Sequence, residues 1–236
     1  EKELENEING KNLKFYSTQD IGDYEKEAIL KVLSSDYLAR GPKIQEFEGL
    51  LGEICNGNSA LAVNSATSAL HVAYKVANVH ADSLIWTTPI TFVATANATI
   101  QLGAKIDFVD IDPKTLNICP EILEEKLRNA SRQNNLPDVI TVVHFAGNPC
   151  DMDKIYDLSE IYGFKVIEDA SHALGSCYNN LPIGGDNRSE ATIFSFHPVK
   201  MITTGEGGAL ILSSKKNWKR ASILRNHGIV HSEEKN

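Results

Sequence analysis

Short apolar runs alternate with helical patterns along most of this chain, and this alternation constrains the fold more than any other feature. The runs of strand length are Ala60 to Val63, Leu84 to Thr87, Lys105 to Val109, Val139 to His144 and Lys165 to Glu168. Between them, apolar residues recur every three or four positions in Ala66 to Val76, Phe92 to Leu102, Glu121 to Asn129 and Asp153 to Tyr162. Such a sequence predicts an α/β fold in which a mixed, mostly parallel sheet lies between helices. Ligand sites in such sheets lie at the carboxyl ends of the strands.

Two amphipathic helices are predicted before the first strand. The first covers Asp20 to Leu33, with Asp20 as its N-cap. The second begins at Pro42 and carries a stripe of core residues between Ile44 and Ile54. After Asp169 the pattern changes to closely spaced strands and glycine-rich loops, and a last helix covers about Lys215 to Arg225.

Composition supports a single folded domain. The 236 residues are 42% hydrophobic and 23% charged, which is ample apolar material for a buried core. No internal repeat or linker divides the chain. We therefore expect one large domain over residues 15–236, behind a polar leader at residues 1–14.

Charge and hydropathy exclude several kinds of partner. Asp and Glu outnumber Lys and Arg by 31 to 23, which leaves no continuous positive field for nucleic acid. No segment approaches the about 18 consecutive apolar residues of a membrane span, and the stretch from Glu1 to Asn12 is too polar for a signal peptide. The four cysteines are too widely spaced for a zinc site or a small disulfide framework. We expect a cytoplasmic protein that binds no nucleic acid, membrane or metal.

The strongest local signal is a single lysine in a loop behind a strand. The strand runs from Thr192 to Phe196 and contains Ser195, and the loop holds Lys200 and then Glu206-Gly-Gly208. Glycines there let the backbone pass close to a bulky group. A lysine in such a loop is a candidate nucleophile, because amines form Schiff bases with carbonyl compounds, most commonly with pyridoxal phosphate. The alternative is a solvated surface lysine.

The second signal is an apolar strand that ends in acidic residues. Asp169 falls at the carboxyl end of this strand, where a buried carboxylate needs a cationic partner or several hydrogen bonds. The protonated nitrogen of a pyridine ring would satisfy it. An N-cap role for Asp169 is the alternative.

The third signal is a strand, a turn of small residues and a helix between Val63 and Leu70. Thr67 and Ser68 fall at the N-terminus of that helix, where free N–H groups and the helix dipole bind phosphate. The segment lacks both a G-x-G-x-x-G pattern and a Walker lysine. A dinucleotide-dependent oxidoreductase is therefore disfavoured.

A phosphate cradle, a carboxylate for a ring nitrogen and a lysine for an aldehyde are the three fixtures that pyridoxal phosphate needs. With these residues in place, the chain resembles the sugar aminotransferases of the DegT/DnrJ/EryC1/StrS family from about Phe15 to Val230. The shared motifs are Gly41-Pro42, Phe47-Glu48, Asn64 to Leu70, Thr88 to Asn97, Glu168 to Gly175, Phe194 to Lys200, Glu206 to Gly208 and Arg225 to Gly228. The resemblance implies the large domain of the aspartate aminotransferase type, which is fold type I among pyridoxal phosphate enzymes.

The resemblance also implies a role for each matching residue. Lys200 matches the lysine that holds the cofactor covalently and later moves protons, and Asp169 matches the carboxylate that keeps the ring nitrogen protonated. Phe92 matches the aromatic residue that stacks on the ring, and His172 matches a residue beside the phenolic oxygen. Without the resemblance, both would be interpreted as ordinary core residues. The matching phosphate ligands are Thr67, Ser68 and Ser195.

The reaction implied is transamination. A dehydratase branch of the family carries histidine in place of the lysine, so the presence of Lys200 favours transamination over 3-dehydration. The motifs look most like the subgroup that aminates UDP-4-keto-6-deoxy-N-acetylhexosamines, as in the pseudaminic acid pathway. The implied partners are an amino acid donor, glutamate, and a nucleotide-linked keto sugar for cell-surface glycan synthesis. The resemblance further implies a homodimer with the site at its interface.

The sequence departs from the family in length. It ends at Asn236, so we expect the C-terminal small domain of the family to be absent. Every cofactor fixture is nevertheless present. The competing hypothesis is a truncated, non-catalytic remnant of the same fold that binds cofactor or sugar nucleotide without turnover.

Overall fold

Strand order in the main sheet determines which loops meet at the functional edge. The computed structural model describes residues 17–230, and the predicted leader at residues 1–14 lies outside them. The helices in this range are α1 (Asp23–Leu33), α2 (Pro42–Ile54), α3 (Ala66–Val76), α4 (Ala94–Ile100), α5 (Pro120–Arg132), α6 (Met152–Tyr162) and α7 (Lys215–Arg225). The strands are β1 (Ser59–Val63), β2 (Leu84–Thr87), β3 (Lys105–Phe108), β4 (Val139–Val143), β5 (Lys165–Asp169), β6 (Cys177–Tyr178), β7 (Leu181–Pro182), β8 (Ala191–Ser195) and β9 (Gly208–Leu212).

The main sheet has seven strands in the order β1-β9-β8-β5-β4-β2-β3. β3, β2, β4, β5 and β8 pair in parallel, whereas β9 is antiparallel to both β8 and β1. Consequently β1 points in the same direction as the parallel strands. The prediction of a mixed, mostly parallel sheet is confirmed. β6 and β7 form a separate antiparallel hairpin, of which β7 was not predicted.

Helices cover both faces of this sheet. Successive residues of a strand point to opposite faces, so Val139 packs in a core cluster with α3 and α4 while Ile140 packs in another with α5 and α6. All five residues of β4 are buried, as expected for a central strand covered on both sides. A third cluster packs α2 against β1, β8 and β9. At about 1.5–3 kcal/mol for each large apolar side chain fully buried, these clusters are the main source of stability.

The predictions for the first two helices are wrong in detail. α1 is preceded by Gly22 rather than Asp20, and the N–H of Gly22 donates to the carboxylate of Glu25 at 2.7 Å. None of the residues of α1 is buried, so its apolar stripe faces outward in the described part of the chain. In α2, Leu51 is buried, but Leu50 and Ile54 are 54% and 49% exposed.

The carboxyl ends of the parallel strands bring together the residues that the sequence singled out. β1 leads into the N-terminus of α3, β2 leads into the loop that carries Phe92, β5 ends at Asp169 and β8 ends at Ser195. His172 and Lys200 lie in the loops that follow β5 and β8. The predicted cofactor residues therefore belong to one edge of the sheet.

Candidate active site

The N-terminus of α3 is built to present free N–H groups. Ser65 is the N-cap in extended conformation, and its hydroxyl accepts a hydrogen bond from the N–H of Ser68 at 3.1 Å. The two serine hydroxyls are also 3.1 Å apart. Thr67 and Ser68 are half-buried in the first turn. The remaining N–H groups of this turn lack helical acceptors, which makes the end of this 11-residue helix a site for an anion.

A glycine lets β9 approach this helix end. A Cβ on Gly208 would lie 2.4 Å from the nitrogen of Ala66, closer than any side chain can come. Gly208 pairs with Val63 on one side and with Ser195 on the other. Ser195 is therefore one strand spacing, about 4.8 Å, from the residue that touches the helix end. Ser195 is thus linked through Gly208 to the helix end that carries Thr67 and Ser68.

Asp169 is a buried carboxylate with three hydrogen-bond donors. It is 5% exposed. Its Oδ2 accepts from the hydroxyl of Thr95 at 2.8 Å, and its Oδ1 accepts from the hydroxyl and the N–H of Ser171 at 2.6 and 3.2 Å. Within residues 17–230 no Lys, Arg or His nitrogen lies within 4.0 Å of it. The alternative of a helix N-cap is excluded, because a turn rather than a helix follows β5.

The negative charge of Asp169 acts on the pKa values of both Lys200 and His172, and the positive charge of Lys200 acts on His172. Burial lowers the pKa of the Lys200 ammonium below 10.5, and the negative charge of Asp169 partly opposes this. Burial, together with the positive charge of Lys200, lowers the pKa of His172 below 6.5, against the opposing effect of Asp169. His172 is therefore neutral at pH 7. The neutral amine of Lys200, which is the nucleophilic form, is more abundant than in a solvated lysine.

Phe92 lies at the same edge of the sheet, and its ring is exposed to solvent. Its side chain is 75% exposed, and it makes no ring contact with another aromatic residue in the described range. Lys200 is flanked in sequence by Val199, Met201 and Ile202, which are 39%, 53% and 47% exposed. An apolar surface of this kind in a loop region is typical of a site that is covered by a ligand or a partner.

A cavity of about 1660 Å³ meets the predicted residues only at Thr67 and Ser68. It is a groove between α2, α3 and α7, and neither Lys200 nor Asp169 lines it. One wall is fixed by Glu48, which accepts hydrogen bonds from the guanidinium of Arg225 and from the N–H of Ala62. Arg225 also donates to the carbonyl of Ala62 at 3.1 Å. The motifs Phe47-Glu48 and Arg225 to Gly228 thus meet in one ion pair.

Glu168, next to Asp169, belongs to the opposite face of the sheet. It is 2% exposed and accepts hydrogen bonds from His144, Tyr156 and Thr192 at 2.9, 3.0 and 3.1 Å. The other ring nitrogen of His144 accepts from the N–H of Cys150 at 3.1 Å, so the ring proton is directed toward Glu168. This buried network holds β5 in place from the opposite face of the sheet and does not face the site.

Sequence reasoning missed several residues around Asp169 and α3. Ser65 has a readable signal, since a serine three residues before Ser68 at a strand-to-helix junction is a typical N-cap. Thr95 had none, because it lies 74 residues before the carboxylate that it serves, whereas Ser171 follows Asp169 by two residues, a spacing that is typical of a side-chain turn. In residues 17–230 no cluster of three or more His, Cys, Asp or Glu side chains is arranged to hold a metal ion. No helix in that range has the length and apolar character needed to cross a bilayer.

Known proteins share both the sequence and the fold. A transaminase of Campylobacter jejuni, named UDP-4-amino-4,6-dideoxy-N-acetyl-beta-L-altrosamine transaminase, is 42% identical over 215 residues, which are 91% of this chain and 55% of that protein. The chain thus spans about half the length of the curated relatives that it matches.

Two solved structures are similar to the described fold. PseC of Helicobacter pylori, an aminotransferase involved in the biosynthesis of pseudoaminic acid, superposes with a TM-score of 0.85 and 33% identity, covering 94% of this chain and 58% of the other. The PLP-form of a putative sugar aminotransferase of Streptococcus pneumoniae gives a TM-score of 0.81 and 27% identity, covering 95% and 60%.

These structures confirm the predicted fold class, the large domain found in fold type I aminotransferases. The sequence profile of one family matches residues 19–236, which is nearly all of the chain. The sequence, the fold and the edge of the sheet at which the candidate residues meet therefore agree, and the chain belongs to the DegT/DnrJ/EryC1/StrS aminotransferase family.

Proposed function

We propose that residues 15–236 form the pyridoxal phosphate-binding domain of a transaminase. The observation that carries the proposal is the arrangement at one edge of the sheet: a helix end with free N–H groups, a buried carboxylate that has no ion-pair partner among residues 17–230, and a lysine of lowered pKa. Three features fit this cofactor. Gly208 lets β9 reach the capped helix end, Asp169 keeps lone pairs for a ring N–H, and Phe92 offers an exposed ring face.

When bound, pyridoxal phosphate supplies an aldehyde that exchanges its oxygen for an amino group and a protonated ring that accepts an electron pair. The N–H groups at the start of α3, with the hydroxyls of Thr67, Ser68 and Ser195, hold the phosphate. The carboxylate of Asp169 holds the ring nitrogen in its protonated form. Phe92 packs on the ring and excludes water from that side.

Lys200 carries the chemistry of the protein itself. Its amine attacks a carbonyl carbon in the neutral form, and its lowered pKa raises the fraction of the amine that is in that form. With the cofactor bound, the same amine would act as the general base and then the general acid that moves a proton between the α-carbon of the donor and the aldehyde carbon of the cofactor. His172 is neutral at pH 7, so it would offer one N–H to the phenolic oxygen of the cofactor without adding a positive charge there.

The names of the relatives support a substrate class for this proposal. The name of the C. jejuni relative describes a UDP-linked sugar with an amine at C4 and no hydroxyl at C6. Replacing that amine by a carbonyl oxygen gives a nucleotide-linked 4-keto-6-deoxy sugar. We propose this class as the amino acceptor, with glutamate as donor, in the cytoplasmic synthesis of a cell-surface glycan.

A homodimer with its site at the interface is part of the proposal. It is supported by the exposed apolar side chains of Phe92, Met201 and Ile202 around the candidate site. Light scattering of the purified chain, with and without pyridoxal phosphate, tests it. A monomer under both conditions would contradict it.

The central experiment is covalent capture of the cofactor. The purified chain is mixed with pyridoxal phosphate, reduced with borohydride and digested, and the modified peptide is identified by mass spectrometry. We expect modification at Lys200, its loss in Lys200→Ala, and no effect of Lys216→Ala, which removes an exposed lysine of α7. Addition of glutamate before reduction should release the cofactor from Lys200 and form 2-oxoglutarate.

The second step uses a UDP-4-keto-6-deoxy-N-acetylhexosamine as acceptor and detects the amino sugar by mass. Modification spread equally over surface lysines would contradict the cofactor assignment. Specific capture at Lys200 with no product from glutamate or keto sugar would instead favour the non-catalytic remnant.

A further inference from the structure

Asp169 is held by a chain of hydroxyl groups that begins outside the buried core. The hydroxyl of Thr95 lies 2.8 Å from Asp169 Oδ2, and the hydroxyl of Thr91 lies 2.8 Å from that of Thr95. Thr95 is fully buried, whereas Thr91 is half-buried and is the neighbour of the exposed Phe92. One short segment thus carries a contact to the carboxylate and the candidate ring-stacking residue.

The direction of this chain follows from counting protons. A carboxylate only accepts hydrogen bonds, and a threonine hydroxyl has one proton to donate. The proton of Thr95 therefore goes to Asp169, so Thr91 must donate its own proton to Thr95. The result is a one-way chain from Thr91 through Thr95 to Asp169, in which each bond polarises the next.

The position of Thr95 is fixed independently of Asp169. The hydroxyl of Tyr74, which is fully buried, donates to the carbonyl of Thr95 at 3.0 Å and accepts from the hydroxyl of Thr141 at 2.8 Å. On the other side, Ser171 fixes Oδ1 of the carboxylate. Both oxygens of Asp169 are therefore held from the protein side, which leaves one defined direction for a further donor.

We propose that Thr95 is a positioning residue that holds the Asp169 carboxylate toward the protonated ring nitrogen of the cofactor, with Thr91 as the donor behind it. The inference rests on the proposed function, since it takes the cofactor to be pyridoxal phosphate. It assigns to Thr95 no contact with the cofactor and no proton transfer. It does predict that removal of the Thr95 hydroxyl weakens the binding of a ligand with a ring N–H and not of a ligand without one.

The experiment compares the affinity of the full chain for pyridoxal phosphate and for its 1-deaza analogue, in which C–H replaces the ring nitrogen. Thr95→Val keeps the shape of the side chain and removes the donor, and it should weaken pyridoxal phosphate binding about tenfold. Binding of the deaza analogue should stay within about twofold, since that ring offers Asp169 no N–H. Thr95→Ser restores the donor and should restore the affinity for pyridoxal phosphate.

A second variant keeps the test valid if Thr95→Val fails to fold. Thr91→Val changes a half-buried side chain and should give a smaller loss, about two- to threefold, again only for pyridoxal phosphate. Equal losses for both ligands, or no loss for either, would overturn the role of Thr95. Asp169→Ala separates this outcome from a failure of the proposed function: if it also lowers the affinity for both ligands by the same factor, or for neither, the assignment of Asp169 to the ring nitrogen is wrong.

Discussion

Gly208 faces the backbone of Ser65 so closely that a Cβ on it would lie 2.4 Å from the Ser65 carbonyl carbon. The atom it would meet belongs to the backbone that caps α3, so a rotamer change cannot relieve the clash. We expect Gly208→Ala to destabilise the fold by about 1–3 kcal/mol, the usual cost of overpacking. It should also weaken binding of pyridoxal phosphate, because the phosphate site uses this helix end.

Gly49 provides the control for that experiment. It lies on the exposed side of α2, and a Cβ added to it would have nothing within 4 Å, so Gly49→Ala should stabilise the protein by about 0.5–1 kcal/mol. Urea unfolding measures both stabilities, and a titration measures the affinity. Equal stabilities of Gly208→Ala and the wild type would show that β9 and α3 can separate freely.

The Phe92 side chain should contribute to cofactor affinity and little to the free energy of unfolding. Its side chain is 75% exposed, so Phe92→Ala should change the free energy of unfolding by no more than about 0.5 kcal/mol. Loss of ring stacking should weaken pyridoxal phosphate binding roughly 3- to 10-fold, and Phe92→Tyr should preserve it. Phe108→Ala, at a 44% exposed phenylalanine at the end of β3, should leave cofactor affinity unchanged. If both alanine variants bind like the wild type, Phe92 does not stack on the ring.

Two nearby charges shift the pKa of His172 in opposite directions. Burial is the largest cause of its lowered pKa, followed by the charge of Lys200, while Asp169 acts in the raising direction. NMR titration of the free protein should therefore give a pKa below 6.5, raised in Lys200→Met and lowered further in Asp169→Asn. Shifts of the same sign in both variants would show that the two charges do not reach the imidazole as described.

The same shift predicts how acid affects stability. Because the pKa of His172 is lower in the folded chain than in the unfolded chain, the unfolded chain binds more protons between that lowered value and 6.5. Stability should therefore rise with pH through this window. The slope should be smaller in His172→Gln, measured by urea unfolding at several pH values. An identical slope in the variant would mean that His172 does not contribute.

The link between Glu48 and Arg225 should contribute more to stability than a surface ion pair. The side chain of Glu48 is 13% exposed and also accepts from the N–H of Ala62. Glu48→Ala removes both bonds and should cost about 1.5–3 kcal/mol. Lys43→Ala breaks an exposed pair on the same helix and should leave the urea midpoint unchanged. Equal midpoints for the two variants would show that the link is only a surface contact.

The sequence predicted the elements better than their arrangement. The bounds of β2, α3 and α7 agree with the prediction, since each is a regular apolar pattern with clear ends. The antiparallel direction of β9 and its place between β1 and β8 were not predictable, because pairing depends on distant parts of the chain. The stripe of α1 predicted a buried face that the described residues do not provide.

For the candidate site, the sequence identified the residues that carry the chemistry but not the residues that hold them in place. Asp169 and Lys200 stood out because a strand end or a glycine-rich loop makes a charged residue conspicuous. Thr95 reaches Asp169 of β5 from helix α4, and Arg225 reaches Glu48 of α2 from helix α7. Such pairings are set by topology, so only the fold reveals them. The roles of the seven predicted cofactor residues remain predictions.

The pairing of β1 with β9 has a consequence for synthesis of the protein. Among the described residues β1 is the first strand to be synthesised and its partner β9 is the last, so their pairing waits until residue 212 has emerged from the ribosome. Until then the edge of β1 and the capped end of α3 have no neighbour in the sheet, and long-range pairings of this kind fold slowly. The backbone amides of residues 59–76 should therefore be among the last in a growing chain to become protected from hydrogen exchange. We expect a chaperone that binds the growing chain to bind this segment.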